Sequence, residues 1–440
     1  MGKVIIKIAS ALVNKIKLDL SRDHEFALER AGFCFGKSVK LPNGTWIVII
    51  NEYLSITDDN YIRTDQACAR INGEAIRLAY QKAFSDKVGL FHIHMHELTK
   101  SFPYFSLIDE TSIPKVVESV QSYSKSQVHG MIVLSQQSIN AKVLCPNKKK
   151  LIKASQVSIV GNDLQLSFPK EKLTNRNANR YSRQSFLGDN AEDLISRIKV
   201  GIVGLSGGGS HIIQQLAHIG FLKYALSDPE KIDDDSNLNR VVGATLEDAK
   251  NKVLKFNVSK KVIINLHPKA LISGGPKKWE ELIDDFRDCD VIFACLDTVI
   301  GRRDLELFCR RYFIPLIDIG MGIAQGKEET IMYGQVQVSA PGQPCFTCNG
   351  FLTEESLAIE ANNYGQKTKR PQVVWSNGVL ASTAIGIFIE MLTGWTGRKP
   401  KNYYLSYEGH EHILTDHINK NYLPKTCTHF PISESGPLNY

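Results

Sequence analysis

The segment "VGIVGLSGGGSHI" (residues 200–212) decides the fold expected for the second half of the chain. It begins as an apolar run typical of a buried strand, and Gly204, Gly207 and Gly209 separate that run from a helical pattern. Glycines in such a turn let backbone amides and a helix N-terminus approach a phosphate. Asp228, at the end of the next strand-like run, suits a ribose hydroxyl. The segment therefore predicts a nucleotide-binding strand-helix-strand unit.

The elements around this segment predict an α/β protein of two domains. Strand-like and helical runs alternate over residues 181–440, which favours a Rossmann-like domain with a largely parallel sheet. Residues 1–168 mix strand-like runs such as "TWIVIINEY" (45–53) with helical runs and predict a compact α+β domain. The polar, aperiodic segment 169–180 lies between them and is interpreted as a linker.

The composition is that of a soluble globular protein. Of the 440 residues, 43% are hydrophobic and 22% are charged, and the formal net charge is +7. The densest basic run, "NKKKLIK" (147–153), has no interleaved aromatic residues. It is interpreted as a solvated turn, so we expect no nucleic-acid partner.

Several features bear on the cellular compartment. Lysines interrupt every apolar stretch within residues 1–20, which argues against a signal peptide and predicts a cytoplasmic location. The apolar segment "VLASTAIGIFIEML" (379–392) is too short to span a bilayer and is interpreted as a buried helix, so no membrane partner is expected. Nine cysteines in this compartment favour thiols or metal ligands over disulfides.

Three histidines stand at alternate positions in "VGLFHIHMHELTKSFPYFSLID" (88–109). Residues two apart in a strand project to one face, so His92 and His94 are placed to bind one ion together. His96 shares that face, and the pair His94 and His96 remains an alternative. Zinc accepts imidazole and carboxylate ligands, and catalytic zinc sites keep one position for water. The stretch therefore predicts a zinc site.

Further residues would complete such a site. Asp109 offers a third ligand from a predicted helix start, and Ser106 lies close enough in sequence to hydrogen-bond the reacting group. An attacking water also needs a general base, and Glu29 in "LERAGFCFG" (28–36) is the candidate.

The combination resembles the JAMM (MPN-type) metalloproteases, whose pattern is E-x-x-G-x-x-x-G, then G-x-x-H-x-H, then S-x-x-D. The resemblance covers residues 1–168 and implies a cytidine-deaminase-like fold and hydrolysis of a peptide or isopeptide bond after a ubiquitin-like tail. Gly89 is in register with His92 and His94, which favours that pair. Met95 stands where the family usually has proline, and the alternative pair would shorten the long segment before Ser106. The matching residues are Glu29, Gly32, Gly36, Gly89, His92, His94, Ser106 and Asp109.

Two segments of the second half, "DPEKIDDDSNLNR" (228–240) and "DVIFACLDTVIGRR" (290–303), resemble the activating-enzyme superfamily of ThiF, MoeB and the ubiquitin-activating enzymes. "RYSRQ" (180–184) resembles the segment that precedes the first strand in that superfamily. The resemblance implies ATP-dependent adenylation of a carboxyl terminus. The residues that match its pattern are Asn237, Arg240, Asp297 and Arg302.

Adenylation of a carboxylate needs Mg²⁺ on the triphosphate, cations for the leaving pyrophosphate and no protein nucleophile. The resemblance assigns the metal to Asp297 and the phosphates to Arg240 and a lysine. Lys252 in "LEDAKNKVLK" (246–255) fits that lysine best, with Lys250 as the rival. Arg183 matches an arginine that reaches across a dimer, so a homodimer is expected. The remaining nucleotide-binding candidates are Asp228, Glu230, which replaces the usual second aspartate, and Asn237.

Cysteines near the end of the chain suggest a second zinc site. Cys345 and Cys348 form a C-x-x-C where this superfamily often begins a structural zinc site, and Cys427 and His429 in "TCTHF" offer two further ligands. The alternative is a degenerate site without metal. Residues 353–372, where ubiquitin-activating members carry a thioester-forming cysteine, contain no thiol, so no stable thioester to this chain is expected.

Together these patterns predict a bifunctional enzyme: a zinc peptidase fused to an adenylyltransferase that uses ATP and Mg²⁺. The expected partner is a ubiquitin-like or sulfur-carrier protein with a carboxyl-terminal Gly-Gly tail, and a conjugating enzyme is a further candidate. The alternatives are an NAD-dependent oxidoreductase and an adenylyltransferase whose first domain is an inactive binding scaffold.

Overall fold

The computed structural model describes residues 2–26, 29–63, 69–96, 102–169, 180–233, 235–362 and 371–437. The chain forms two compact units. The first comprises Met1–Lys172, Arg311–Phe313 and Phe430–Tyr440, and the second comprises Leu173–Arg310 and Ile314–His429. Apart from its two end residues, the predicted linker 169–180 lies outside the described residues.

The first unit includes a segment from the far end of the chain that sequence analysis assigned to the second domain. The buried side-chain amide of Asn51 donates hydrogen bonds of 2.9 Å and 2.8 Å to the carbonyl oxygens of Ser433 and Ser435. Through these two hydrogen bonds, the Asn51 side chain holds the segment that contains Ser433 and Ser435 in the first unit.

The described residues of the first unit form strands and helices in the following order: β1 Val4–Ala9, α1 Ser10–Leu20, β2 Ala31–Lys40, β3 Trp46–Ser55, β4 Tyr61–Ile62, β5 Arg70–Ile71, α2 Gly73–Ser85, β6 Gly89–Met95, α3 Leu107–Tyr123, β7 His129–Leu134, β8 Ile139–Leu144, β9 Ile152–Lys153, β10 Gln156–Val160 and β11 Leu164–Ser167.

Nine of the strands found in the described part of this unit form one mixed sheet in the order β11-β10-β1-β3-β2-β6-β7-β8-β9. β1 runs parallel to β3 and β10, and every residue of its apolar sequence VIIKIA is buried, as expected for a strand covered on both faces. Phe91 and Ile93 of β6 pack in the core that contains α1, whereas Leu90 packs with α2. Since side chains alternate along a strand, His92 and His94 project to the same face as Leu90.

The described residues of the second unit form these elements: α4 Ala191–Arg197, β12 Lys199–Val203, α5 Gly207–Ile219, β13 Lys223–Ser227, α6 Leu246–Lys250, α7 Lys255–Leu266, β14 Leu271–Gly275, α8 Ile283–Phe286, β15 Val291–Ala294, α9 Val299–Arg311, β16 Leu316–Gln325, β17 Thr330–Ser339, α10 Glu354–Asn362, α11 Val374–Thr393, β18 Tyr404–Glu408 and β19 Ile413–Asp416.

Within the described part of the second unit, eight strands form a sheet in the order β14-β13-β12-β15-β16-β17-β18-β19. The strands from β14 to β16 are parallel, as expected for a Rossmann-like domain, whereas β17, β18 and β19 each run antiparallel to the preceding strand. The short connection 326–329 between β16 and β17 explains the change, because a parallel pair needs a much longer crossover.

Helix α11 is longer than the apolar segment 379–392 that predicted it. Its 20 residues have a mean hydropathy of 1.3 over the most apolar window, so its length and composition would allow a membrane span. However, 56% of that window is buried, and buried residues such as Leu380, Ala384 and Phe388 line it. A core helix has these properties, and the helix packs against α5 and β16.

Candidate functional site

The strand order of the second unit creates one edge at which several functional side chains meet. β12 lies between β13 and β15, and the chain moves outward from β12 in both directions. In open parallel sheets, ligands bind beyond the carboxyl ends of the strands at such a switch point. The glycine turn, Asp228 and Asp297 directly follow or lie just beyond β12, β13 and β15.

The glycine turn brings backbone very close to backbone. Gly204 has a φ of +89°, and a side chain there would overlap the carbonyl oxygen of Cys295. A side chain at Gly209 would overlap the carbonyl oxygen of Gly204, while α5 begins at Gly207. The turn is thus shaped to present amides and the start of α5 to a bound phosphate.

Asp228 is buried and braces this turn. Its two carboxylate oxygens accept hydrogen bonds of 2.8 Å from the amides of Leu205 and Glu230. Burial raises the pKa of Asp228, and the nearby ammonium group of Lys255 opposes that increase. Asp228 therefore connects the turn to the loop that follows β13.

The sequence analysis missed Lys255, the first residue of α7. Its side chain is only 2% exposed, and its Nζ lies 2.5 Å from Oε2 of Glu230. Lys252, the predicted lysine, is exposed in the turn between α6 and α7, and its rival Lys250 is exposed at the end of α6. The signal for Lys255 was its apolar context, "VLKF", because a buried lysine is rare unless it has a charged partner.

The predicted phosphate-binding arginine has an unsatisfied buried donor. Among the described residues, Nε of Arg240 has no hydrogen-bond partner, although the atom is buried. The Arg240 amide donates to the carbonyl oxygen of Asn237, which is itself buried. Because an unpaired buried donor is costly, an anion such as a phosphate would suit this guanidinium group.

The other predicted residues occupy distinct places. Asp297 is exposed between β15 and α9, and Arg183 is exposed in the 3₁₀ turn Ser182–Leu187. Arg302 is buried instead and binds Asp318, with 2.7 Å between Nε and Oδ1. The proposed reach of Arg183 across a dimer stays a prediction. Cys295, directly after β15, is half-buried, and desolvation raises its thiol pKa and disfavours a reactive thiolate.

The cysteine cluster of the second unit is closely assembled. The ligand atoms of Cys345, Cys348, Cys427 and His429 all lie within 4.8 Å of one another. Sγ of Cys348 lies 3.6 Å from Sγ of Cys345, 3.8 Å from Sγ of Cys427 and 3.4 Å from Nδ1 of His429. Tetrahedral zinc with Zn–S bonds of about 2.3 Å separates its sulfur ligands by about 3.8 Å. The four residues therefore fit a zinc ion.

The first unit also contains a metal-like cluster among its described residues. The ligand atoms of Glu29, His94 and His96 lie within 4.8 Å of one another. Nε2 of His94 lies 3.2 Å from Nε2 of His96 and 3.3 Å from Oδ2 of Asp109, and the His96–Asp109 distance is 3.9 Å. Ligands at about 2.1 Å from tetrahedral zinc stand about 3.4 Å apart, so this triangle also fits zinc.

The geometry favours the alternative histidine pair over His92 and His94. His92 stands earlier in β6, where its ring packs edge-on against Phe33 with 5.8 Å between ring centroids. Burial, followed by the charge of His94, lowers the pKa of His92 to about 3. His96, just beyond the end of β6, lies beside Asp109 instead. We therefore replace His92 by His96 in the proposed ligand set.

Ser106 and Asp109 have a structural role that the sequence pattern did not reveal. Oγ of Ser106 accepts from the Asp109 amide, and the Asp109 carboxylate accepts from the Ser106 amide, so the two form a capping box at the start of α3. Burial alone would raise the pKa of Asp109, but hydrogen bonds and charge from His94 and Ser106 hold it at about 2. The cap aims an ionised carboxylate at His94.

Glu29 is half-buried and held by its neighbours. Burial raises its pKa, the charge of His94 opposes this and the charge of Asp109 reinforces it. The next residue, Arg30, is buried and donates to Asp58 and to the carbonyl oxygens of Arg22 and Asp23 at 2.7 to 2.9 Å. Glu29 is therefore a carboxyl group with a raised proton affinity on an anchored segment, which suits a general base.

The strand order and glycine turn define a Rossmann-like nucleotide-binding class of α/β protein. Within that class, the chain belongs to the ThiF family, whose sequence profile matches residues 179–428. The matched range excludes residues 1–172 of the first unit.

Three curated relatives match part of the chain. It is 30% identical over 189 residues to the sulfur carrier protein ThiS adenylyltransferase of Escherichia coli (strain K12), covering 40% of this chain and 68% of the relative. It is 34% identical over 177 residues to the adenylyltransferase and sulfurtransferase UBA4 of Kluyveromyces lactis, covering 38% of this chain and 37% of that relative. It is 26% identical over 181 residues to the SUMO-activating enzyme subunit 2 of Dictyostelium discoideum, covering 39% of this chain and only 25% of that relative.

Among solved structures, Escherichia coli MccB with MccA-N7isoASN matches with a TM-score of 0.46 and 19% identity, covering 56% of this chain and 73% of that one.

Proposed function

We propose that the second unit binds ATP and Mg²⁺ and adenylates the carboxyl terminus of a ubiquitin-like or sulfur-carrier protein. The observation that carries this proposal is the glycine turn at the switch point, with the unsatisfied Nε of Arg240 and the buried Lys255 in the same unit. ThiF-family membership supports it, and so do the names of the relatives, which describe activation of SUMO and adenylation of ThiS. Family membership also removes support for the oxidoreductase alternative.

The residues divide the work as follows. The glycine turn and the start of α5 would hold phosphate oxygens, and Asp228 would face the ribose. Arg240 and Lys255 would neutralise charge as the carrier carboxylate attacks the α-phosphorus and pyrophosphate leaves. A bound Mg²⁺ would neutralise the triphosphate, and Asp297, which lies beyond β15, would hold it.

The test is pyrophosphate–ATP exchange that depends on a carrier ending in Gly-Gly. Asp297→Ala should reduce exchange because it removes a charged ligand on the exposed loop, while folding should be unaffected. Exchange at the wild-type rate in this variant would refute the role of Asp297. Exchange that is absent from the wild type with every Gly-Gly carrier tested would refute the function.

The Cys345, Cys348, Cys427 and His429 cluster is proposed to hold a structural zinc. All four ligand positions come from the protein, which is the pattern of a structural site rather than a catalytic one. A zinc ion there would join the loop after β17 to residues near the end of the second unit.

A second activity is proposed for the first unit, namely zinc-dependent cleavage after the tail of the same carrier. The triangle of His94, His96 and Asp109 beside Glu29 is the observation that favours it. A bound zinc would supply a Lewis acid and lower the pKa of a water molecule. Glu29 would accept the water's proton and pass it to the leaving amine.

This second proposal competes with the view that the first unit is an inactive scaffold. Zinc content decides between them, because a scaffold needs no metal at this cluster. The proposal also includes a cytoplasmic location, a homodimer and a conjugating enzyme as a partner.

A further inference from the structure

A chain of buried polar side chains runs through the second unit from the cysteine cluster toward the helix that follows Asp297. It starts at Asn349, the residue after Cys348, and continues through Gln337 of β17 and Asp318 of β16 to Arg302 of α9. The four members of this polar chain are between 0% and 8% exposed.

Each step of the polar chain is a side-chain hydrogen bond. Nδ2 of Asn349 donates to Oε1 of Gln337 at 2.9 Å, and Nε2 of Gln337 donates to Oδ2 of Asp318 at 3.2 Å. The other Asp318 oxygen accepts from Nε of Arg302 at 2.7 Å. A polar group buried this deeply destabilises the folded state considerably when it loses its hydrogen-bond partner. A displacement at one end of the polar chain would therefore disturb the next pair.

One end of the polar chain belongs to the metal cluster. The Asn349 amide donates to the carbonyl oxygen of Cys345 at 2.9 Å, and its own carbonyl oxygen accepts from the Asn419 side chain at 2.9 Å. Binding of the four ligands to one ion would fix the turn 345–349 and therefore the direction of the Asn349 side chain.

The other end belongs to the nucleotide edge of the sheet. The Arg302 amide donates to the carbonyl oxygen of Thr298, the residue after Asp297, at 3.3 Å. The Arg302 guanidinium group also lies 5.6 Å from the ring centroid of Phe351, which follows the cysteine turn. Arg302 thus contacts both the start of α9 and a residue next to the cluster.

We propose that this polar chain couples zinc at the cysteine cluster to nucleotide binding at the switch point, with Asn349 and Gln337 as positioning residues. The inference rests on the proposed function, because it requires that the second unit bind ATP and Mg²⁺ near Asp297. Coupling between two binding sites is reciprocal, so nucleotide should tighten zinc binding by the same factor by which zinc tightens nucleotide binding.

The experiment measures zinc affinity of the full chain by competition with a chromophoric chelator. A His94→Ala background removes the cluster of the first unit, so that the cysteine cluster alone is titrated. Affinity is measured with and without a saturating non-hydrolysable ATP analogue and Mg²⁺. We expect the analogue to tighten zinc binding by about 5-fold to 150-fold, the usual range for coupled sites.

The quantity compared is the ratio of zinc affinity with the analogue to zinc affinity without it. Gln337→Met should bring this ratio close to one. Asn349→Ala should do the same, and it replaces Gln337→Met if that variant folds poorly. Gln335→Met is the matched control. Gln335 also donates to Asp318, at 3.4 Å, but lies outside the route to Asn349, so its ratio should stay at the wild-type value. A merely structural loss would lower zinc affinity equally with and without nucleotide.

A wild-type ratio of one, measured with the analogue demonstrably bound, would overturn the coupling and leave the proposed adenylation intact. A ratio that survives in both Gln337→Met and Asn349→Ala would likewise overturn the role of these residues. Failure of the analogue to bind at all would refute the coupling together with the proposed function.

Discussion

The ammonium group of Lys255 lies 2.5 Å from the carboxylate of Glu230, and the two partners differ greatly in exposure: the lysine side chain is 2% exposed and the glutamate side chain 67%. The pair places a buried positive charge against an accessible negative one beside the loop that follows β13. Because lysine binds anions as a point charge, we expect a phosphate to be able to replace Glu230 as the partner of Lys255.

Replacement of Lys255 should therefore impair adenylation far more than replacement of Lys252. Lys255→Met should lower pyrophosphate–ATP exchange by about 100-fold, the lower end of the effect of removing one preorganised charge-stabilising donor. Lys252→Met is the control, and it should retain most of the activity because its side chain is exposed in a turn. If Lys252→Met instead reduced exchange far more than Lys255→Met, the assignment of Lys252 made from the sequence would be correct.

Metal analysis should find two zinc ions per chain. Cys348→Ser should leave one, because Sγ of Cys348 lies within 3.8 Å of three other ligand atoms in its cluster. The variant should also unfold at a lower temperature, since a structural zinc contributes directly to folding free energy. Emission spectrometry of dialysed protein and a thermal melt provide the measurements, and unchanged zinc content in Cys348→Ser would exclude a metal at this cluster.

The two histidine registers of the first unit are separable by the same metal analysis. His96→Ala should lose the zinc of that unit, since Nε2 of His96 faces both Nε2 of His94 and Oδ2 of Asp109. His92→Ala should retain it, because that ring packs against Phe33 instead. If His96→Ala kept the zinc of the first unit and His92→Ala lost it, the ligand pair would be His92 and His94, as the register of Gly89 predicts.

If both proposed activities are present, the proposed peptidase and adenylation activities should act in sequence on a carrier made with residues beyond its Gly-Gly. Adenylation needs a free carboxylate, so the wild-type chain should activate the extended precursor, whereas Glu29→Gln should activate only trimmed carrier. Glutamine cannot accept the proton, yet it leaves His94, His96 and Asp109 in place, so zinc content is the control. Carrier mass and AMP release are followed together.

Equal activation of the precursor by wild type and Glu29→Gln would contradict this sequence of steps. Cleavage of a carrier–protein isopeptide with the precursor left intact would instead indicate that the first unit reverses conjugation.

The second unit illustrates how far sequence patterns reach. The segment around Gly204 predicted the strand-turn-helix and its neighbours because glycine spacing and apolar runs are local properties. The antiparallel strands β17 to β19 escaped prediction, since pairing depends on partners distant in the chain. Lys255 was missed although its apolar context was a local signal, because its charged partner Glu230 stands 25 residues earlier in the chain.

In the first unit, the histidine pattern located the candidate site but left its register open. A period of two places His92, His94 and His96 on one face and cannot say which two meet a third ligand. That choice depends on where β6 ends and on the direction in which the capping box at the start of α3 holds Asp109.

The hydrogen bonds from Asn51 to Ser433 and Ser435 also constrain the order in which the protein matures on the ribosome. Amino-terminal domains usually fold while the rest of a chain is still being made. Here β3 would emerge early, but the side-chain amide of Asn51 would lack these two acceptors until residues 430–437 had been synthesised. The first unit is therefore completed only after the second has left the ribosome, so the cleavage proposed for the first unit should not begin before the second unit has been synthesised.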